Sequence, residues 1–191
     1  MNEAVENGAP VPAFAVVQES AFDVAAREAL LDRAMGPKRK RKSSEKIRRA
    51  RLPAEGLAFV AKDAEGRLIG TVRLWDVRLG EDGPAALLLG PLAVDTVLKG
   101  QGVGAALMRQ AIAEAARLEH RAILLVGDAP YYARFGFSAA KTGKLAMPGP
   151  YERERFLALE LVAGALDDMR GTLLPAGRKA STRRAARSLA A

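Results

Sequence analysis

Apolar positions along the chain fall into two periods, and their alternation sets the order of elements. Phe14–Val17 is a short aromatic and β-branched run that predicts a strand. Between Glu19 and Met35 apolar residues recur at helical spacing, at Phe22, Ala25, Ala29, Leu30 and Ala34, and Gly36-Pro37 ends that helix. Ser43-Ser44-Glu45 can cap a second, short helix. Leu57–Ala61 and Ile69–Trp75 predict hairpin strands joined around Glu65-Gly66. An apolar run, Leu87–Val94, precedes an alanine-rich amphipathic helix over Val103–Leu118 and a further strand at Ala122–Val126. A short helix near Tyr131–Phe135 and strands before Ser138 and across Phe156–Val162 complete the pattern. Strands, then a strand–helix–strand unit, then more strands predict a mixed-sheet α/β fold.

Between the Leu87–Val94 strand and its helix lies Lys99-Gly100-Gln101-Gly102-Val103-Gly104. The first N–H groups of a helix have no intrahelical partners, and that end is electropositive. Gly100, Gly102 and Gly104 lack a Cβ, so anionic oxygens can approach the backbone closely. A pyrophosphate suits such a turn. The string is not the G-x-x-x-x-G-K-[ST] of a P-loop. Nor is it the dinucleotide G-x-G-x-x-G, and Asp95–Lys99 separates it from the strand end where that fingerprint would turn. Taken alone, it could still be a glycine loop that merely caps a helix.

A second segment, Tyr131-Tyr132-Ala133-Arg134-Phe135-Gly136-Phe137, follows the Ala122–Val126 strand. Together the two segments resemble the GNAT superfamily of acyl-CoA-dependent N-acetyltransferases, over about Phe14 to Leu161. The glycine segment is similar to the family's [QR]-x-x-G-x-[GA] turn, with Lys99 where Arg or Gln is usual. Lysine keeps the charge and loses the planar fork. The resemblance implies a mixed, mostly antiparallel central sheet flanked by helices, with two strands splayed to admit the pantetheine arm of acetyl-CoA. That slot is expected between Leu87–Val94 and Ala122–Val126. It also implies pyrophosphate binding by Lys99, Gly100, Gly102, Val103 and Gly104, and pairing of the pantetheine amides with the backbone of Leu92 and Val94. A bulge in this strand would free one N–H toward the thioester, and Gly90-Pro91 is the place the sequence offers for it.

Acyl transfer needs the amine and thioester held in register, a donor facing the oxyanion, a base for the ammonium and an acid for the departing sulfur. By the resemblance, Tyr132 is that acid, and a phenol with a reference pKa of ~10 suits a thiolate leaving group. A packed aromatic is the structural alternative for Tyr132. Tyr131 and Phe135, at i and i+4, are expected to face the core, and Asp128 to cap the short helix. No carboxylate lies between Ala85 and Val94, so the base has no evident candidate there. Asp76, Asp128, Glu152 and a water chain all stay open for it.

Composition narrows the chemistry. The chain has 191 residues, enough for one domain with a sizeable core plus extensions. With no cysteine and a single histidine, His120, the sequence offers no disulfide, thiolate nucleophile or sulfur-ligated metal, and little for a His-based metal site or triad. We therefore expect no metal. The acidic, polar start Met1–Asn7 does not read as a signal peptide, and no apolar run is long enough to span a membrane, so a cytoplasmic location is expected.

Charge is unevenly placed. Lys38–Arg51 carries a net +8 and Arg170–Ala191 a net +6; the whole chain is only +8, so the remainder is acidic, at −6. Residues 1–165 are read as the acetyltransferase domain and 166–191 as a basic, flexible tail. The Lys38–Arg51 run has three readings: a wall that attracts an acidic acceptor, a non-specific nucleic-acid contact, or a solvated mobile loop. No aromatic interrupts it, which disfavours single-strand nucleic-acid stacking. The expected partner is a small-molecule or peptide amine. The alternative is a non-catalytic coenzyme A-binding or nucleic-acid-associated module on the same fold, and the oligomeric state is not legible.

Overall fold

The computed structural model describes residues 14–180; Met1–Asn7 and the last part of the basic C-terminal segment lie outside it. Strands β1 (Phe14–Gln18), β2 (Ala58–Asp63), β3 (Leu68–Leu79), β4 (Ala85–Val94), β5 (Ala122–Val126) and β7 (Phe156–Glu160) form a sheet in the order β1-β2-β3-β4-β5-β7. Within that path only the β4–β5 pair is parallel. The helices are α1 (Val24–Met35), α2 (Ser43–Arg48), α3 (Val103–Arg117) and the five-residue α4 (Ala129–Ala133).

Alternation along the strands divides the core between the two faces of the sheet. Leu87 and Leu89 of β4 join Ile123 and Leu125 of β5 on the face covered by α3. Ala86, Leu88, Ala122 and Leu124 point the other way, toward Ile47 of α2 and Phe156. Helix α3 buries Val103, Leu107, Met108, Ala111 and Ala115, one stripe at helical spacing. It sits so close to β3 that a Cβ on Gly70 would stand 2.9 Å from Leu107 Cδ1.

Three expectations need correction. The first helix begins at Val24, because Ser20 and Asp23 form a box: Ser20 N–H and Oγ both donate to Asp23 Oδ2, at 2.9 and 2.7 Å. Its buried face is Asp23, Arg27, Leu30 and Leu31, while Phe22 is 96% exposed. Arg27 is neutralised inside by Glu19, which also accepts from Arg73 Nε at 2.7 Å. Second, the Lys38–Arg51 run is no loose loop. It folds as a 3-10 turn over Pro37–Arg41 and then α2, pinned by the fully buried Ile47.

Third, the flexible tail does not begin at residue 166. Leu166 is buried, and Gly171–Pro175 forms β8, which pairs antiparallel with Val77–Leu79 of β3 and parallel with the two-residue β6 (Leu145–Ala146). Leu173 is fully buried there, and Leu52 N–H donates to Arg178 O at 2.8 Å. A basic composition hid a strand whose one inward leucine closes the sheet face.

Candidate active site

β4 and β5 are paired only at Leu87↔Ile123 and Leu88↔Leu124. Beyond that point they part, and the β4 edge from Leu89 onward has no strand partner among the described residues. The parting coincides with an extra residue in β4: Val72 faces Leu92, but Leu74 faces Leu89. The bulge thus falls at Gly90-Pro91, whose peptide is cis, and the indole Nε1 of Trp75 donates to Gly90 O at 2.6 Å. Leu92 and Val94 sit past the bulge, half-buried, on the strand whose edge is open.

At the far end of that edge lies the glycine turn. Lys99, Gly100 and Gly102 are exposed, and Val103 anchors the start of α3 in the core. Gly100 and Gly102 have φ of +88° and +82°, in the left-handed region, and a Cβ at either would meet nothing within 4 Å. The first intrahelical bond runs from Ala106 N–H to Gly102 O, so the N–H groups of Val103, Gly104 and Ala105 precede it. No side chain caps this terminus. An open, positive-φ turn at an uncapped helix N-terminus is the donor set a pyrophosphate requires, and the residues present fit one.

Gly104 ties this turn to the second motif. A Cβ there would stand 2.9 Å from the Tyr131 hydroxyl and 3.5 Å from Val94 Cγ2, so β4, α3 and α4 converge at one point. Tyr131 was expected to face the core; instead its hydroxyl reaches the α3 terminus, and it is Tyr132 and Phe135 that pack against the core. Asp128 occupies the N-cap position of α4 but its side chain makes no capping bond, and only its carbonyl accepts, from Tyr132 N–H at 3.1 Å.

Tyr132 packs edge-on beside Tyr131, with ring centroids 5.0 Å apart. It lines a cavity of about 210 Å³ together with Leu89 and Gly90 of the bulge, Trp75 of β3 and Val126 at the end of β5. Burial pushes its phenol up to about 12. The hydroxyl therefore keeps its proton through the neutral range, as a donor must. The remaining walls are α1, α2 and the turn between them, so the Lys38–Arg51 run stands as a wall of this cavity, one of the three readings its sequence allowed. The part played by α1 was not legible, because nothing local shows that this helix closes over a strand bulge.

The residues considered for the base, Asp76, Asp128 and Glu152, do not line this cavity; the carboxylates that do are Glu28 and Glu45, which the sequence did not single out. Burial alone would raise the Glu28 carboxyl, but hydrogen bonds from Arg39 and Arg27 outweigh it and hold the group below the usual carboxylate range.

Comparison with known proteins decides the family. An acetyltransferase (GNAT) domain model matches residues 54–139. The N-acetyltransferase YhbS of Escherichia coli (strain K12) is 30% identical over 115 residues, 60% of this chain and 69% of that one. The chain belongs to the GNAT acetyltransferase family. A crystal structure of the GNAT family N-acetyltransferase YhbS from E. coli in complex with CoA superposes with a TM-score of 0.75 and 26% identity, covering 90% of this chain and 94% of that one. A GNAT acetyltransferase from Brucella melitensis, in complex with acetyl-CoA, shares the fold at a TM-score of 0.65 and 23% identity, over 87% and 97% of the two chains. The splayed β4–β5 pair, the glycine turn and the α4 tyrosines are thus parts of a GNAT fold. Among the described residues, no helix is long and apolar enough to cross a membrane.

Proposed function

We propose that this GNAT chain transfers the acetyl group of acetyl-CoA to a primary amine by direct attack in a ternary complex. The observation that carries the reading is the open β4 edge, with an uncapped helix terminus at one end and a protonated phenol in a cavity at the other. Lys99, Gly100, Gly102, Val103 and Gly104 hold the pyrophosphate, and the backbone of Leu92 and Val94 holds the pantetheine amides as an added strand. Both E. coli YhbS and the Brucella protein were crystallised with coenzyme A species, which supports that assignment.

Tyr132 is the proton donor for the departing thiolate. Its neighbour Tyr131, with ring centroids 5.0 Å apart, turns its hydroxyl toward Gly104. Of the two carboxylates lining the cavity, Glu28 is held by Arg27 and Arg39 and makes a poor base, and the proton of the incoming ammonium leaves through water. Arg39 and Arg51 of the basic run are engaged by Asp32 and by the Gly177 carbonyl, which leaves less of the run for nucleic-acid phosphates.

The test is thiol release from acetyl-CoA against a panel of amines. Amine-dependent release that is lost in Tyr132→Phe supports the reading. Coenzyme A binding without release for any amine would instead make the chain a non-catalytic coenzyme A-binding module.

A further inference from the structure

We propose that the acceptor is an amine carrying an anionic group, a carboxylate or a phosphate, and that Arg48 grips this group beside the Gly90 bulge. The proposal rests on the acetyl-transfer reading and adds the class of acceptor to it.

Six cations line the cavity, Arg27, Arg39, Lys40, Lys42, Arg48 and Arg73, against the carboxylates of Glu28 and Glu45. Most of the arginines are already committed. Arg27 and Arg73 share Glu19, and Arg39 holds Asp32 and Glu28 at 2.7 and 2.6 Å. Arg48 differs. Its side chain is only 10% exposed, and its nearest carboxylate, Glu45, lies 3.3 Å from Nη2. Its Nε is buried with no hydrogen-bond partner among the described residues. Arg27 Nε shares that condition, but both terminal nitrogens of Arg27 are bound.

A guanidinium carries five donors in a fixed fork, and leaving them unmade inside a protein is costly. Burial pulls the Arg48 group below its ordinary range, which an anion docked on it would reverse. The fork matches a carboxylate or phosphate, two oxygens at a time. Its position is also fixed: the adjacent Ile47 is fully buried and locks the last turn of α2. Arg48 Nη1 lies 3.8 Å from where a Cβ on Gly90 would be, next to the bulge where the acetyl group is expected.

The exposed Lys40 and Lys42, also lining the cavity, add a positive field that draws an anion inward. At about 210 Å³ the space is smaller than the ~300–1,000 Å³ of drug-sized ligand sites. It suits a small amino acid or aminoalkyl phosphate, or a single residue entering end-on.

Matched acceptors test this directly: amino acids against their amides, and aminoethyl phosphate against aminoethanol, with wild type, Arg48→Met and Arg48→Lys. Methionine fills the arginine's space without a buried charge, so the variant should fold. Wild type should prefer one anionic member of a pair by roughly ten- to a hundredfold in kcat/KM, as a charge-assisted contact predicts. The preferred pair tells carboxylate from phosphate. Arg48→Met should abolish the preference, Arg48→Lys should retain part of it, and acetyl-CoA affinity by calorimetry should not move.

Equal turnover of anionic and neutral amines, or an unchanged ratio in Arg48→Met, would overturn the proposal while leaving acetyl transfer intact. Trp75, the single tryptophan, lines the same cavity and reports binding without catalysis. Titration with N-acetylglycine, N-acetylglycinamide and inorganic phosphate should change its fluorescence only for the anions, and only when Arg48 is present. An anion response independent of Arg48 would also overturn it. Failure of acetyl-CoA itself to bind would sink the acetyl-transfer reading, and the fluorescence result would still decide whether Arg48 is an anion site.

Discussion

Gly127 leaves room for the ring of Tyr132: a Cβ on Gly127 would stand 2.1 Å from Tyr132 Cε2. The residue between the end of β5 and the Asp128 N-cap of α4 is therefore small, which leaves space for the phenol ring. Gly127→Ala must push the ring aside, since the clash is with the ring's body and not with a flexible tip. We expect kcat to fall at least tenfold, with acetyl-CoA affinity changed much less, because the glycine turn is untouched. Wild-type kcat in a folded Gly127→Ala protein would remove Tyr132 from the chemistry.

Tyr132→Phe keeps the edge-to-face packing on Tyr131 and Phe137, at centroid distances of 5.0 and 6.0 Å, and deletes only the hydroxyl. General acid catalysis is worth about 10²–10⁴-fold, and kcat should drop within that range. With the phenol pushed up to about 12, the pH–rate profile of the wild type should show no alkaline limb from this group between pH 8 and 10. Tyr131→Phe, whose hydroxyl is beside Gly104, should raise KM for acetyl-CoA modestly and spare kcat. Equal, small losses in both variants would assign Tyr132 to packing.

Gly102→Glu should abolish acetyl-CoA binding by placing a carboxylate where pyrophosphate is expected. Gly102 is the left-handed N-cap of α3, so any side chain adds strain of roughly 1–2 kcal/mol. Gly102→Ala separates the two effects: it carries the strain without the charge, and it should keep measurable affinity. Unchanged calorimetric affinity in folded Gly102→Glu would move the phosphate site elsewhere.

Leu173→Ala tests whether the C-terminal strand belongs to the core. Leu173 is fully buried among Val77, Leu79 and Leu88, so truncation should cost about 2–5 kcal/mol in denaturant unfolding. A loss under 0.5 kcal/mol would restore the picture of a loosely held tail.

Asp23 gives a pH signature. Burial alone would raise its carboxyl, but the Lys62 ammonium at 2.7 Å and the Ser20 hydrogen bonds prevail and hold it below the usual range. A carboxyl depressed in the folded state stabilises above its unfolded pKa, and that contribution is lost as pH falls through the folded value. Asp23→Asn should therefore cost about 1 kcal/mol at pH 7 and close to nothing near pH 2. A pH-independent difference would locate the effect in packing.

The sequence by itself determined strands β1 to β5 and β7, the α3 helix and the glycine turn, because each is a local matter; the strand expected before Ser138 is only a single bridge, Ser138↔Ala158. Alternation at Leu87–Leu89 and Ile123–Leu125, the helical stripe from Val103 to Ala115, and glycines whose positive φ builds the turn are all properties of neighbours in the chain. The short tyrosine segment was equally legible as a motif, but which tyrosine turns toward Gly104 and which lines the cavity was not.

Tertiary structure decided what depends on distant partners. Arg27 is buried beside Glu19, which Arg73 of β3 also holds from 54 residues away, and without that cluster the opposite, alanine-rich face of α1 looked like the inner one. The basic run became a wall because Ile47 docks it on the sheet, and residues 171–175 became a strand because β3 runs past Trp75 to Leu79 and offers them an edge. The cavity itself exists where β4 and β5 part after a single pair of leucines, Leu88 and Leu124. Burial of a charge and the parting of two strands are settled by groups far apart in sequence, and so only the folded chain could settle them.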